Sequence, residues 1–376
     1  MTIFTRQIES KIISRLFKDR AILIFGPRQA GKTTLSKKIL ESFGEKGEYF
    51  NCELATVRKH FLLGQPEELL NLIGNKKIVV FDEAQTIENI GAILKIFIDT
   101  YPEIQIIATG SSSFDLANKI NEPLTGRAFE FTLMPLSLSE IRKTIGLSRE
   151  SLLEYMRLGT YPAIVGEQDS VVKEDLLKNL ATNYLYKDIF IFESIKSPKV
   201  LENLLKALAF QLGNMVSINE LSQTLGISRA TVEKYIRLLE QAFVVFRLPS
   251  FSRNPRTEIK KAFKIFFFDL GVRNAVIDNI SLVENRPDKG AIFENFFIVE
   301  RMKKGLLESL PPKMAFWRRR DGLEIDLIED KNGLLSAYEC KWSNEEFSFS
   351  EFLKKYKETL TKIVTLETVL KDQGVL

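Results

Sequence analysis

A chain of 376 residues with 45% hydrophobic content holds material for two or three domains, each able to bury a core. Its 53 basic and 49 acidic residues leave a net charge of only +4, so nucleic-acid contact has to come from local patches. A single histidine, His60, on a polar helix-like segment, and two cysteines, Cys52 and Cys340, in different expected domains, exclude Ser/His/Asp chemistry, histidine-rich metal sites and a disulfide framework.

In chain order, Ala21 to Phe25 is an unbroken apolar run that reads as a buried strand, and Leu35 to Phe43 reads as a helix. Between them stands Gly26-Pro27-Arg28-Gln29-Ala30-Gly31-Lys32-Thr33-Thr34, with the spacing of a phosphate-cradling loop. Gly26 and Gly31 allow the tight turn that points backbone N–H groups and a helix N-terminus at phosphates. Lys32 is expected to reach the β- and γ-phosphates of ATP, and the Thr33 hydroxyl to hold Mg2+. Lys76 to Glu83 supplies an apolar strand ending in two carboxylates. Asp82 suits the magnesium ion and Glu83 the polarisation of an attacking water, which favours hydrolysis over transfer to a second substrate.

Ile104 to Ala108 is a further strand, followed by Thr109-Gly110-Ser111-Ser112-Ser113. At the carboxyl edge of a parallel sheet Ser111 can meet the γ-phosphate or the attacking water, or belong to an ordinary polar turn. Leu124-Thr125-Gly126-Arg127 precedes the strand Phe129 to Leu133, and Arg127 reads either as an arginine finger or as a surface charge.

The pieces GPRQAGKTT, VVFDEAQ, IIATGSSS and LTGR followed by Pro135-Leu136-Ser137 together resemble the AAA-type ATPases of bacteria and archaea. More narrowly they resemble the group whose ATPase module is joined to a C-terminal domain of unknown function, and the similarity runs through nearly the whole chain. The resemblance implies a five-stranded parallel sheet with a helical lid. It also implies self-association that brings an arginine near a neighbour's nucleotide, for which Arg127 is the position carried over. Where related chains often have an Arg-Asp pair near the lid connector, this one has Lys187-Asp188, which puts a coupling role there in doubt.

After Leu133 helical patterns take over, at Ser139 to Ile145, Ser148 to Leu158 and Val172 to Phe192, with a break at Tyr161-Pro162; they suit a lid and a connector. Ser217 to Ser228 reads as a capped helix, a Gly226 turn and a Ser cap opening the helix Arg229 to Gln241. Phe243 to Leu248 and Ala262 to Phe268 complete a winged helix-turn-helix. In a DNA-binding version Arg229, Thr231, Lys234 and Arg237 lie on the exposed face of the second helix. The wing carries Arg247, Arg253, Arg256, Lys260, Lys261 and Lys264 against the one acid Glu258.

Further on, Leu323 to Ile328 and Ala337 to Lys341 alternate as strands around an Asn332-Gly333 hairpin turn. Asp326, Glu339 and Lys341 then fall on one face, and Glu294 on an amphipathic helix beginning at Gly290 can join them. Two or three carboxylates with a lysine suit magnesium and water activation against a phosphodiester. The pattern resembles the restriction-endonuclease-like core. A salt-bridged surface sheet is the competing account, and Arg318-Arg319-Arg320 reads either as a backbone grip or as a solvated strand.

The expected class is thus an α/β multi-domain chain with four parts. These are a P-loop AAA-type ATPase core (1–134), a helical lid and connector (135–195), a winged helix-turn-helix (196–270) and an endonuclease-like α/β domain (271–376). No stretch reaches the about 18 consecutive apolar residues of a membrane span, and Met1 to Leu16 lacks a secretory apolar segment, so a cytoplasmic protein is expected. One functional reading is an ATP-driven enzyme on DNA. The other is a nucleotide-gated interaction protein, a homo-oligomer or bound to a protein partner, whose nuclease-like domain is silent. A P-loop kinase is a third reading that Glu83 weakens.

Overall fold

The computed structural model describes residues 2–61, 66–110, 124–190, 197–252, 262–319, 321–343 and 345–375. It divides into two compact units. One comprises residues 4–135 with 241–243, the other residues 1–3, 136–240 and 244–376.

The first unit is built on strands β1 (Ala21–Phe25), β2 (Gly47–Asn51), β3 (Ile78–Asp82), β4 (Gln105–Gly110) and β5 (Ala128–Thr132). They form a five-stranded sheet in the order β2-β3-β4-β1-β5, and every pairing is parallel. β1, β3 and β4 are buried along their whole length, which is why they read as unbroken apolar runs rather than alternations. Helix Ile90–Thr100 lays Ile93, Leu94 and Phe97 against Leu23, Val79, Phe81 and Ala108. Phe81 also stacks on Phe50 of β2 at 5.7 Å between centroids.

β2 is the strand that hydrophobic patterning passes over. Gly47-Glu48-Tyr49-Phe50-Asn51 is short and buries only Phe50, because it sits at the edge of the sheet with a single neighbour. β4, by contrast, runs two residues beyond the apolar segment and carries Thr109 and Gly110 to the strand end.

The second unit opens with helices Leu138–Ile145 and Arg149–Leu158, each started by a serine capping box, Ser137 with Glu140 and Ser148 with Ser151. Helix Ser170–Phe190 follows. Helices Pro198–Phe210, Ile218–Leu225 and Arg229–Gln241 precede an antiparallel ribbon of β6 (Val245–Pro249) and β7 (Phe263–Phe267). Of the expected wing, residues 253–261 lie outside the described residues, as do the side chains of Lys187 and Asp188.

Helix Lys289–Leu306 then leads to a four-stranded sheet of β8 (Lys313–Arg318), β9 (Glu324–Lys331), β10 (Leu334–Cys340) and β11 (Leu360–Val364), ordered β11-β10-β9-β8. β8, β9 and β10 pair antiparallel, and β11 joins β10 in parallel. The expected hairpin is present: Lys331 pairs with Leu334, and Asn332 and Gly333 take φ of 55° and 87°, the double positive φ that a two-residue turn demands. Trp317, Ile325, Ile328, Leu335 and Ala337 bury one sheet face against Phe352 and Tyr356. Among the described residues no helix is long and apolar enough to cross a membrane.

Candidate nucleotide site and carboxylate cluster

β1 delivers the chain to the loop at its carboxyl end. Gly26 has φ 149°, and a Cβ there would lie 2.1 Å from the Leu133 carbonyl oxygen. Only glycine lets the loop leave the sheet so close to the segment after β5, where the Leu133 N–H donates to the Phe25 carbonyl at 2.7 Å. Gln29 and Gly31 also take positive φ, at 60° and 99°, turning the backbone before helix Lys32–Glu41 begins. The loop has a buttress that motif reading missed: Arg6 is buried and donates from Nη1 to the Ala30 carbonyl at 2.6 Å and from Nη2 to the Met134 carbonyl.

Lys32 is only 4% exposed, and its Nζ donates to the Gly26 and Pro27 carbonyls at 2.9 and 3.0 Å. The ammonium is thus held inside the loop by backbone oxygens, weaker partners for a cation than phosphate oxygens. Gln29 and Thr34 are exposed, Arg28 and Thr33 half-buried.

The two motifs meet at Asp82. Thr33 Oγ1 donates to Asp82 Oδ2 at 2.7 Å, and Tyr49 Oη donates to the same oxygen at 2.7 Å. Thr109 donates to the other oxygen, Oδ1, and its hydroxyl accepts the Glu83 N–H at 3.1 Å. Asp82 is 4% exposed, so three hydroxyls supply the hydrogen bonds that water would give a surface carboxylate. Burial and the Asp82 carboxylate raise the Tyr49 phenol well above its ordinary range, which keeps it a donor. Burial, Asp82 and Glu83 push the Cys52 thiol up to about 12, leaving it an inert core residue. A hydroxyl and a carboxylate converging where a strand ends and a helix begins are hard oxygen donors of the kind magnesium takes.

Glu83 sits in the left-handed region at φ 52°, which turns it away from the strand, and its Oε2 accepts from Gln85 Nε2 at 2.6 Å. Ser111 lies outside the described residues. Arg127 Nε donates to Asp99 Oδ1 at 2.7 Å within the same unit, so service at a neighbour's nucleotide requires that pair to open. Tyr49 and Arg6 are contributors that motif spacing did not signal, since neither belongs to a contiguous pattern; Gln85 closes the VVFDEAQ piece, but its contact with Glu83 was not read from it.

The second constellation lies on the four-stranded sheet. Tyr338 pairs with Leu327, so the next residues outward, Glu339 and Asp326, are cross-strand neighbours as expected. Their surroundings differ from the expected metal centre. Lys264 of β7, anticipated on the wing near a DNA backbone, is 1% exposed and donates to Glu294 at 2.9 Å and to Glu324 at 2.5 Å. Asp326 Oδ2 accepts the Cys340 N–H at 2.8 Å, and Lys341 pairs with Glu339 at 3.0 Å. Glu294, Asp326 and Glu339 are therefore tied up in internal pairs, and among the described residues no group of three or more His, Cys, Asp or Glu is placed to hold a metal ion.

Burial alone would drive the proton off Lys264, but Glu294 and Glu324 outweigh it and hold the ammonium above the usual lysine range. Burial, with the Asp326 charge, raises Glu294 well above the carboxylate range. The same two causes lift Glu339 to about 7, and its Oε2 is buried with no hydrogen-bond partner among the described residues.

A carboxyl whose folded pKa exceeds its unfolded value of 4.5 stabilises the fold at acid pH and loses that contribution as pH rises toward about 7. Stability is accordingly expected to fall between pH 4.5 and 7, by on the order of 2 kcal/mol. Urea unfolding of the protein and of Glu339→Gln across that window checks this: the variant flattens the slope, and an unchanged slope refutes the assignment.

The basic features divide in the same way. Arg229, Lys234 and Arg237 are exposed on helix Arg229–Gln241, with Thr231 half-buried beside Ser228. Arg247, by contrast, is spent on Glu233 at 3.0 Å and Glu240 at 3.4 Å. Arg253, Arg256, Lys260 and Lys261 lie outside the described residues. Arg318 pairs with Glu324, and Arg319 with Asp321 and Glu351, so neither presents an unpaired grip for phosphate; Arg320 is outside the described residues.

Comparison with known protein families matches three segments of the chain. Residues 18–142 match the family described as an AAA domain, residues 149–282 a domain of unknown function (DUF8612), and residues 289–373 a domain of unknown function (DUF4143). The chain is 27% identical over 398 residues to the uncharacterized protein MJ1544 of Methanocaldococcus jannaschii, covering 99% of this chain and 86% of that one. It is 26% identical over 346 residues to the uncharacterized protein Rv2008c of Mycobacterium tuberculosis, covering 91% and 74%. Among solved structures, the Pif1 helicase from Candida albicans aligns over 48% of each chain at 13% identity and a TM-score of 0.27, too low to carry any inference.

Proposed function

We propose that the AAA domain of residues 18–142, joined in this chain to a DUF4143 domain at 289–373, binds ATP with magnesium and hydrolyses it. The observation that carries the reading is the 2.7 Å contact between Thr33 and Asp82, which joins the phosphate loop to the acidic strand end across 49 positions of sequence. Lys32 exchanges the Gly26 and Pro27 carbonyls for phosphate oxygens. Thr33 and Asp82 are the residues that would hold magnesium, whose charge would offset that developing on the phosphates. Glu83 gives up its Gln85 partner and takes a proton from the water whose oxygen bonds to the γ-phosphorus as the bond from that phosphorus to the ADP oxygen breaks, and Thr109 ties the Glu83 backbone to the Asp82 carboxylate. The setting is cytoplasmic, where ATP is supplied.

The experiment is phosphate release from ATP by the purified chain, with magnesium and then with excess chelator. Magnesium-dependent release supports the reading; absence of both release and triphosphate binding sinks it.

A second element concerns the unit that holds residues 136–240 and 244–376. A helix-turn-helix followed by a two-stranded ribbon, with Arg229, Lys234 and Arg237 exposed on its second helix, supports contact with DNA. The buried Lys264 favours a domain that binds rather than cuts, gated by nucleotide, since its ammonium already pairs with Glu294, one of the carboxylates that a nuclease would give to metal, while Lys341 pairs with Glu339. Duplex binding followed by anisotropy against salt tests this, because phosphate contacts impose a steep salt dependence. If Arg237→Ala leaves affinity and salt slope unchanged, the helix is not a DNA contact and a protein partner takes its place.

A further inference from the structure

We infer that Tyr49 is a positioning residue for the metal partner Asp82, setting how much magnesium the chain needs to bind a triphosphate. The inference rests on the proposed magnesium–ATP reading and adds a residue that no phosphate-loop or acidic-strand motif contains.

Tyr49 stands on the edge strand β2, whose parallel register puts Tyr49 beside Val80 and Asn51 beside Asp82. The phenol therefore runs along β3 to its end, where Oη reaches Asp82 Oδ2 at 2.7 Å. Thr33 donates to that same oxygen at the same distance. Were the Thr33 hydroxyl to turn to magnesium, Oδ2 would lose one of the two donors it has among the described residues. Asp82 is nearly sealed from water, so the phenol on Oδ2 and Thr109 on Oδ1 are what keep the carboxylate from rotating.

The ring is held independently of its hydroxyl. Lys37, one turn into the helix that begins at Lys32, places its Nζ 4.3 Å from the ring centroid. Helix and strand thus clamp the phenol between them, and Tyr49→Phe deletes the donor while retaining the clamp.

The test is calorimetric binding of a non-hydrolysable ATP analogue, titrated with magnesium, for the unaltered chain, Tyr49→Phe and Lys37→Ala. Loss of an outer hydrogen bond to a metal partner is expected to raise the magnesium needed by about 10-fold in Tyr49→Phe. Loosening the clamp is expected to raise it about 3-fold in Lys37→Ala, an exposed position that does not endanger folding. Affinity for the analogue without metal stays within about twofold in both, a split that a merely structural ring would not produce. Unchanged magnesium dependence in both variants, or an equal loss with and without metal, overturns the role of Tyr49. Absence of any magnesium dependence in the unaltered chain overturns the magnesium reading itself, a distinct outcome.

Discussion

Glu83→Gln is expected to bind ATP within about twofold of the unaltered chain and to turn it over about 10²–10⁴-fold more slowly, the range over which a positioned general base contributes. The change keeps the side chain's shape and removes its ability to take a proton. Glu83 is anchored by backbone as much as by side chain: φ is 52°, and its N–H donates to Thr109. The loss should therefore appear in turnover and not in assembly of the site. Pre-steady-state phosphate release beside equilibrium binding separates the two. Undiminished turnover would transfer the base to another residue, and phosphate appearing on an added acceptor would revive the kinase reading.

Lys32→Ala is the second large effect. Charge-assisted hydrogen bonds are worth about 1.5–3 kcal/mol each, so removing the ammonium should weaken triphosphate binding by about 100-fold or more. The folded state also suffers, because the buried Gly26 and Pro27 carbonyls lose the donor they share at 2.9 and 3.0 Å. Thermal unfolding without nucleotide should fall, and the stabilisation that ATP confers on the unaltered chain should vanish. A variant that binds ATP normally would place the phosphates elsewhere.

Both predictions concern residues legible in the sequence, and the reason is locality. A phosphate loop is a contiguous backbone device: Gly26 needs φ 149° and Gly31 φ 99°, and both demands are met within a few residues of Lys32. The Asp82-Glu83 strand end and the Asn332-Gly333 hairpin are local in the same sense, a buried run closed by acids and a turn that tolerates two positive φ values. The helix start at Ser217 is written in its own capping residue, whereas periodicity places the starts near Ser139 and Ser148, each within two residues of the caps Ser137 and Ser148.

What only the tertiary structure decided is which charges and donors meet across long separations. Strand β2 is too short and too polar to announce itself, and only pairing with β3 makes it a strand and brings Tyr49 to Asp82. Lys264 reads in sequence as one more cation in a basic segment. Folding buries it against Glu294 and Glu324, because an ammonium that loses water must find carboxylates, and these come from positions 30 and 60 residues away. Arg247 is likewise paired with Glu233 and Glu240 of the preceding helix, which turns an apparent excess of positive charge into internal pairs. Residue types and spacing determined the loop, the acids and the turns. Sheet pairing and charge neutralisation, both long-range, decided which of the remaining polar residues face a ligand and which face one another.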